Sequence, residues 1–120
     1  MKLFALRGAI TLDADTKSEV DVKTQRLVTE MLARNEIDHD GIVSIIFTAT
    51  DDVTSEFPAA APRALGLGDV PLLCARELSI KNGMPLCIRV LMHIQSDKSR
   101  DGIHHVYLEG ARSLRDDLPE

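Results

Sequence analysis

Four side chains set the chemical question. Arg89 lies near the middle of LCIRVLMHI, residues 86–94, the most apolar run in the chain. Arg7 interrupts KLFALRGAIT near the N-terminus, Glu77 lies in VPLLCAREL, and Tyr107 lies in IHHVYLEGA. Strand alternation sends successive side chains to opposite faces. In the long run it groups Leu86, Ile88, Val90, Met92 and Ile94 on a core face, and Cys87, Arg89, Leu91, His93 and Gln95 on the other. Arg7 shares a face with Leu3 and Ala5, and Tyr107 shares one with Ile103, His105 and Glu109. A half-buried guanidinium is costly unless it is paired and hydrogen-bonded. Glu77 is the available internal partner. One reading is therefore a structural ion-pair network of Arg7, Arg89 and Glu77, because such networks imitate active sites. The other is an anion pocket built from two arginines, a tyrosine and a carboxylate, since the planar arginine fork donates bidentately to carboxylates. Residue types alone leave both open.

Other chemistries find little support. Cys74 and Cys87 form no CxxC pair and suit a reducing cytosol. Of His39, His93, His104 and His105, the adjacent pair lies in a strand-like segment, where neighbours diverge and cannot chelate one ion together. Zinc-ligand spacing is absent, so no metal is expected. The net charge of −5 argues against general nucleic-acid binding, which draws on phosphate neutralisation. An anionic ligand would need arginines gathered locally against that balance.

The chain has 120 residues, 44% of them apolar and 28% charged, the mix of one globular domain spanning 1–120. No apolar run approaches the roughly 20 residues of a membrane span. MKLFALRGAIT has its apolar stretch broken by Arg7 and lacks an A-x-A site, so it reads as a strand rather than a signal peptide, and the protein as cytoplasmic.

The elements that must position these residues follow from pattern. KLFALRGAIT is the first strand. Thr16-Lys17-Ser18-Glu19 matches a capping box. The helix after it places Val20, Leu27, Val28 and Met31 on one face, with Lys23, Arg26, Glu30 and Arg34 on a solvated one. IVSIIFTAT is a buried strand. Phe57 to Gly66 reads as a short helix with proline in its first turn and glycine as its stop. VPLLCAREL, LCIRVLMHIQ and IHHVYLEGA are further strands, separated by the turn KNGMP and the polar loop SDKSRDG. The expected class is α+β or α/β: a mixed sheet packed against one long helix and a short one.

With the segments LRGAIT, FTATDDVTSEFPAAAPR, DVPLLCARE, CIRVLMHIQSD and HHVYLE followed by SLRDDL, the sequence resembles the monofunctional bacterial chorismate mutases of the trimeric pseudo-α/β-barrel class. The likeness covers nearly the whole chain. It implies a Claisen rearrangement of chorismate to prephenate, on the route to phenylalanine and tyrosine, in a homotrimer with sites between adjacent subunits. It implies that Arg7, Glu77, Arg89 and Tyr107 line one wall, while Phe57, Ala59, Leu73 and Cys74 come from the neighbouring chain. Arg63 and Arg115 resemble the basic residues of the pocket mouth, and Leu114 covers it. Two positions depart from the family: Ala60 stands where a lysine is frequent, and Leu73 where a small polar residue is common.

The implied reaction is unimolecular and concerted. It needs no nucleophile, cofactor, metal, membrane or nucleic acid. It needs a substrate held in a compact chair-like conformer, and a fixed cation where negative charge gathers on the breaking ether oxygen. Arg89 would bond that oxygen and the side-chain carboxylate, and Arg7 with Tyr107 would hold the carboxylate. Glu77 would accept from the ring hydroxyl and orient Arg89, with Cys74 nearby. Phe57, Ala59, Leu73 and Leu114 would press the substrate into shape. Two rival expectations remain: a trimeric imine or enamine deaminase of similar fold, and a regulatory module that binds a carboxylate without turnover.

Overall fold

Residues 1–115 are described by a computed structural model; the side chain of Arg115 falls outside that description. The first strand, β1, runs Lys2–Thr11 with Phe4, Leu6 and Ile10 buried and Leu3, Ala5 and Arg7 exposed, as alternation requires. Helix α1 spans Lys17–Arg34. Thr16 caps it by accepting from the Glu19 N–H at 3.1 Å. The reciprocal half of the expected capping box is missing. The turn before the helix brings the Asp13 N–H to the Glu19 carboxylate at 2.8 Å, and the Thr16 N–H bonds the Ala14 carbonyl instead.

The apolar face of α1 buries Val20, Leu27, Val28 and Met31, with Thr24 among them. It lies close on β1. A Cβ at Gly8 would meet Met31 Sδ at 2.5 Å and Leu27 Cδ1 at 3.2 Å, so any larger residue would push these side chains aside. At the far end Asn35 is buried. Its amide donates to the Met31 and His104 carbonyls, both at 2.8 Å, and accepts from the His104 N–H at 2.7 Å, which ties the helix end to the segment leading into the last strand.

After a 3-10 turn at His39–Gly41 come β2 (Ile42–Ala49), the short helix α2 (Ala60–Ala64), β3 (Leu72–Arg76), β4 (Cys87–Ser96) and β5 (Val106–Leu108). The strands form one mixed sheet in the order β3-β2-β4-β1-β5. The central pairs β2–β4 and β4–β1 are antiparallel, and the outer pairs β2–β3 and β1–β5 are parallel. The core lies between α1 and the face that carries Phe4, Leu6, Ile45, Phe47, Ile88, Val90, Met92 and Ile94.

Three expectations change here. The last strand is only three residues long. Glu109 takes a left-handed φ of 55°, and the chain then enters a 3-10 helix, Glu109–Arg115. Lys23 and Arg26 of α1 hold the Glu109 carboxylate at 2.9 and 2.8 Å, and the Gly110 N–H bonds Thr11 Oγ1 at 2.9 Å. The helix face read as solvated is therefore partly a fastening. Glu30 and Arg34 do pair along the surface, at 2.9 Å. The short helix is also shorter than Phe57 to Gly66, and Gly66, at φ 83°, ends it as expected.

Candidate active site

Opposite the core, the sheet carries a row of side chains that register brings side by side. Thr48 pairs with Arg89, Arg89 with Ala9, and Ala9 with Tyr107. Arg7 lies two residues before Ala9 on the same face of β1. Four strands thus supply one cluster. Ala9 contributes only a methyl group at its middle, which leaves room between the larger side chains. A hollow of about 270 Å³ is lined by Arg7, Thr48, Arg89 and Tyr107, with Ile46 and Leu91 as apolar walls.

Glu77 closes one side of this group. Its N–H continues the β3 pairing by bonding the Ala49 carbonyl at 3.0 Å, which puts its side chain on the face of Leu73 and Ala75. Its Oε2 lies 3.4 Å from Arg89 Nε and accepts from Thr48 Oγ1 at 2.5 Å. The Arg89 side chain stays 45% exposed toward the hollow, so the pair is too open to solvent to count as a strong stabilising interaction. A guanidinium held at Nε by a carboxylate and still partly open is suited to take an anion.

Beneath Arg89 lies a small second cluster of Ala9, Cys87 and Ala111, with Tyr107 and Leu114 packed against it. The terminal 3-10 helix thus folds over this end of the face. Burial pushes the Cys87 thiol up, partly opposed by the Arg89 guanidinium, so it stays a neutral packing group. His105 accepts from the Arg7 N–H through Nδ1 at 2.9 Å, fixing the strand that carries Arg7.

The other candidates gather elsewhere. Phe57, 70% exposed, and Cys74 line a separate hollow of about 370 Å³ beside Val53, Thr54 and Arg76. Cys74 pairs with Phe47 and sits on the core side of β3, so within one chain it faces away from Arg89. Leu73 is exposed on the open face, and Arg63 is exposed in the last turn of α2. Ala59 packs more deeply than these. It is only 5% exposed within one chain and packs with the core. Leu114 is half-buried, and the Arg115 side chain lies outside the described residues.

A profile for the family "Chorismate mutase type I" matches residues 3–118. The chain belongs to the type I chorismate mutase family. It is 43% identical over 114 residues to chorismate mutase AroH of Thermus thermophilus, covering 94% of this chain and 93% of that one. It is 39% identical over 119 residues to chorismate mutase AroH of Bacillus subtilis strain 168, covering 98% and 94%. The solved chorismate mutase from Clostridium thermocellum superposes with a TM-score of 0.91 at 42% identity, covering 92% of this chain and 99% of that one. The same fold class was expected from the element pattern, and neither the deaminase nor the regulatory module gains support from these likenesses.

Alternation found Arg7, Arg89 and Tyr107, because charged or phenolic groups stand out in apolar strands. It missed Thr48, an ordinary β-former on β2. Pairing Thr48 with Arg89 depends on the β2–β4 register, which a single strand does not reveal. Among the described residues no helix is long and apolar enough to cross a membrane, and no group of three or more His, Cys, Asp or Glu could hold a metal.

Proposed function

We propose that this chain is an isomerase that converts chorismate to prephenate in a cleft completed by a neighbouring copy, within a homotrimer. The observation that carries this reading is the row of Arg89, Arg7 and Tyr107 around a hollow, with Glu77 against one edge of Arg89. Arg89 donates to the ether oxygen and the side-chain carboxylate. As the C–O bond breaks, negative charge builds on that oxygen, and a fixed cation lowers the barrier without any proton transfer. Arg7 and the Tyr107 hydroxyl hold the carboxylate. Glu77 accepts from the ring hydroxyl.

The hollow offers one wall. Phe57 and Cys74 line a separate hollow of the same chain, and Phe57 and Leu73 are large exposed apolar groups. Supplied by a neighbouring copy, they would press the substrate into its reactive conformer and exclude water. Leu114, packed beside Tyr107, covers the cleft. Arg63 and Arg115 draw in the dianion and act on encounter more than on chemistry. Two unpaired thiols, Cys74 and Cys87, support a reducing cytoplasmic setting.

The test is direct. Purified protein is mixed with chorismate, and the loss of its ultraviolet absorbance is followed against a protein-free control. Saturable loss with prephenate as sole product is expected. A rate no faster than the control would overturn the assignment.

A further inference from the structure

We propose that Thr48 is a positioning residue, which fixes the Glu77 carboxylate so that Oε2 faces Arg89 while Oε1 is left for the substrate's ring hydroxyl. This rests on the reading of the site given above. Thr48 Oγ1 donates to Glu77 Oε2 at 2.5 Å, whereas Arg89 Nε lies 3.4 Å from the same oxygen. The hydroxyl is thus the tighter of the two holds. The long Arg89 contact does not fix the carboxylate rotamer alone, because hydrogen bonds weaken well before that separation.

Glu77 needs such a hold. It stands just past the end of β3, before a loop in which Leu78 and Ile80 are exposed. Its backbone is pinned to Ala49, but its side chain reaches back over the sheet edge toward β4. Thr48 lies between them, directly opposite Arg89 in the β2–β4 ladder. Its β-branched side chain is stiff about χ1, so the hydroxyl direction is set by the strand itself. A threonine hydroxyl has one proton to give. Given to Glu77, that proton converges with the guanidinium on Oε2. Substrate then meets an acceptor already turned, instead of one that must be ordered during binding.

The experiment is a double-mutant cycle on the full chain, with T48V, T48S, E77A and T48V/E77A assayed on chorismate and each checked for its melting temperature. T48V keeps the shape and loses the donor, and kcat is expected to fall about 10-fold, with a smaller change in KM. T48S restores the donor and should return kcat to within about 3-fold of the parent. In the E77A background the T48V change should have almost no further effect, because a partner that acts only through Glu77 has nothing left to position. T48A carries the same expectation should T48V fold poorly. A T48V enzyme with parental kcat beside a crippled E77A would overturn the role of Thr48 alone. Multiplicative losses in the double variant would do the same, by showing that Thr48 acts independently of Glu77. A parental E77A would instead remove Glu77 from the proposed site.

Discussion

Arg89 occupies a position that strand geometry offers cheaply and chemistry uses well. Its neighbours Ile88 and Val90 point into the core, while its own side chain points to the open face. No charge enters the apolar interior, and the full cost of desolvation is avoided. Period-two spacing was enough to place it, and likewise Arg7 and Tyr107. Off the strands alternation says nothing, and only the resemblance brought in Ala59 and Arg63. Ala59 lies just before α2, where no alternation operates, and its side chain is buried. Arg63 is exposed one turn further on, so its charge acts through solvent. Arg63→Ala should raise KM severalfold, by weakening attraction of a dianion, and leave kcat near the parental value. Steady-state kinetics at two salt concentrations check this. A loss of kcat at constant KM would place Arg63 against the reacting atoms instead.

At the scale of elements, the loop that carries Phe57 is held by one carboxylate. Asp15, just ahead of α1, accepts from the backbone and hydroxyl of Thr54 and of Ser55 at 2.7 to 3.1 Å. Those bonds, the Thr54 hydroxyl foremost, lower its pKa from 3.8 to about 2. The folded value lies below the unfolded one. The stability it contributes is therefore complete above pH 3.8 and is lost as the pH falls through about 2. Asp15→Asn should melt below the parent at neutral pH, and the two melting curves should converge near pH 2 in thermal scans. A gap unchanged with pH would mean that the charge is not what holds the loop. The closeness of β1 and α1 gives a second expectation. Gly8→Ala should cost about 1–3 kcal/mol in denaturant unfolding, because the added methyl would displace Met31 and Leu27 on the buried face of α1. Unchanged stability would show that the helix can shift. Helix and strand periods were legible in the sequence. The early end of β5 was not, because it is set by Glu109 meeting Lys23 and Arg26, which lie more than eighty residues away along the chain.

The whole molecule is one-sided: α1 covers one face of the sheet, and the other keeps Leu3, Leu73 and the arginine hollow exposed. Arg7, Arg89 and Tyr107 line one hollow of the chain and Phe57 and Cys74 line another, an arrangement that fits a cleft shared between copies. Only the resemblance, not composition or periodicity, suggested this assembly, because alternation tells which face is polar but not what covers it. In solution the protein should sediment at three times its chain mass. Mixed assembly gives the sharper prediction. Arg89→Ala chains keep the Phe57 wall, and Phe57→Glu chains keep the Arg89 wall. Refolding equal amounts together should restore roughly a quarter of parental activity, since half of each wall is intact in a closed ring. No recovery would mean that each chain carries its whole site.

The central claim concerns Arg89 itself: a strand-borne guanidinium stabilises the ether oxygen as the bond breaks. The most direct measurement is kcat for Arg89→Lys on chorismate, with folding confirmed by its melting temperature. The lysine keeps the charge and loses the planar fork. The account predicts a fall of at least ~10²-fold, on the scale of a lost oxyanion donor. Turnover near the parental value in a folded Arg89→Lys enzyme would contradict it.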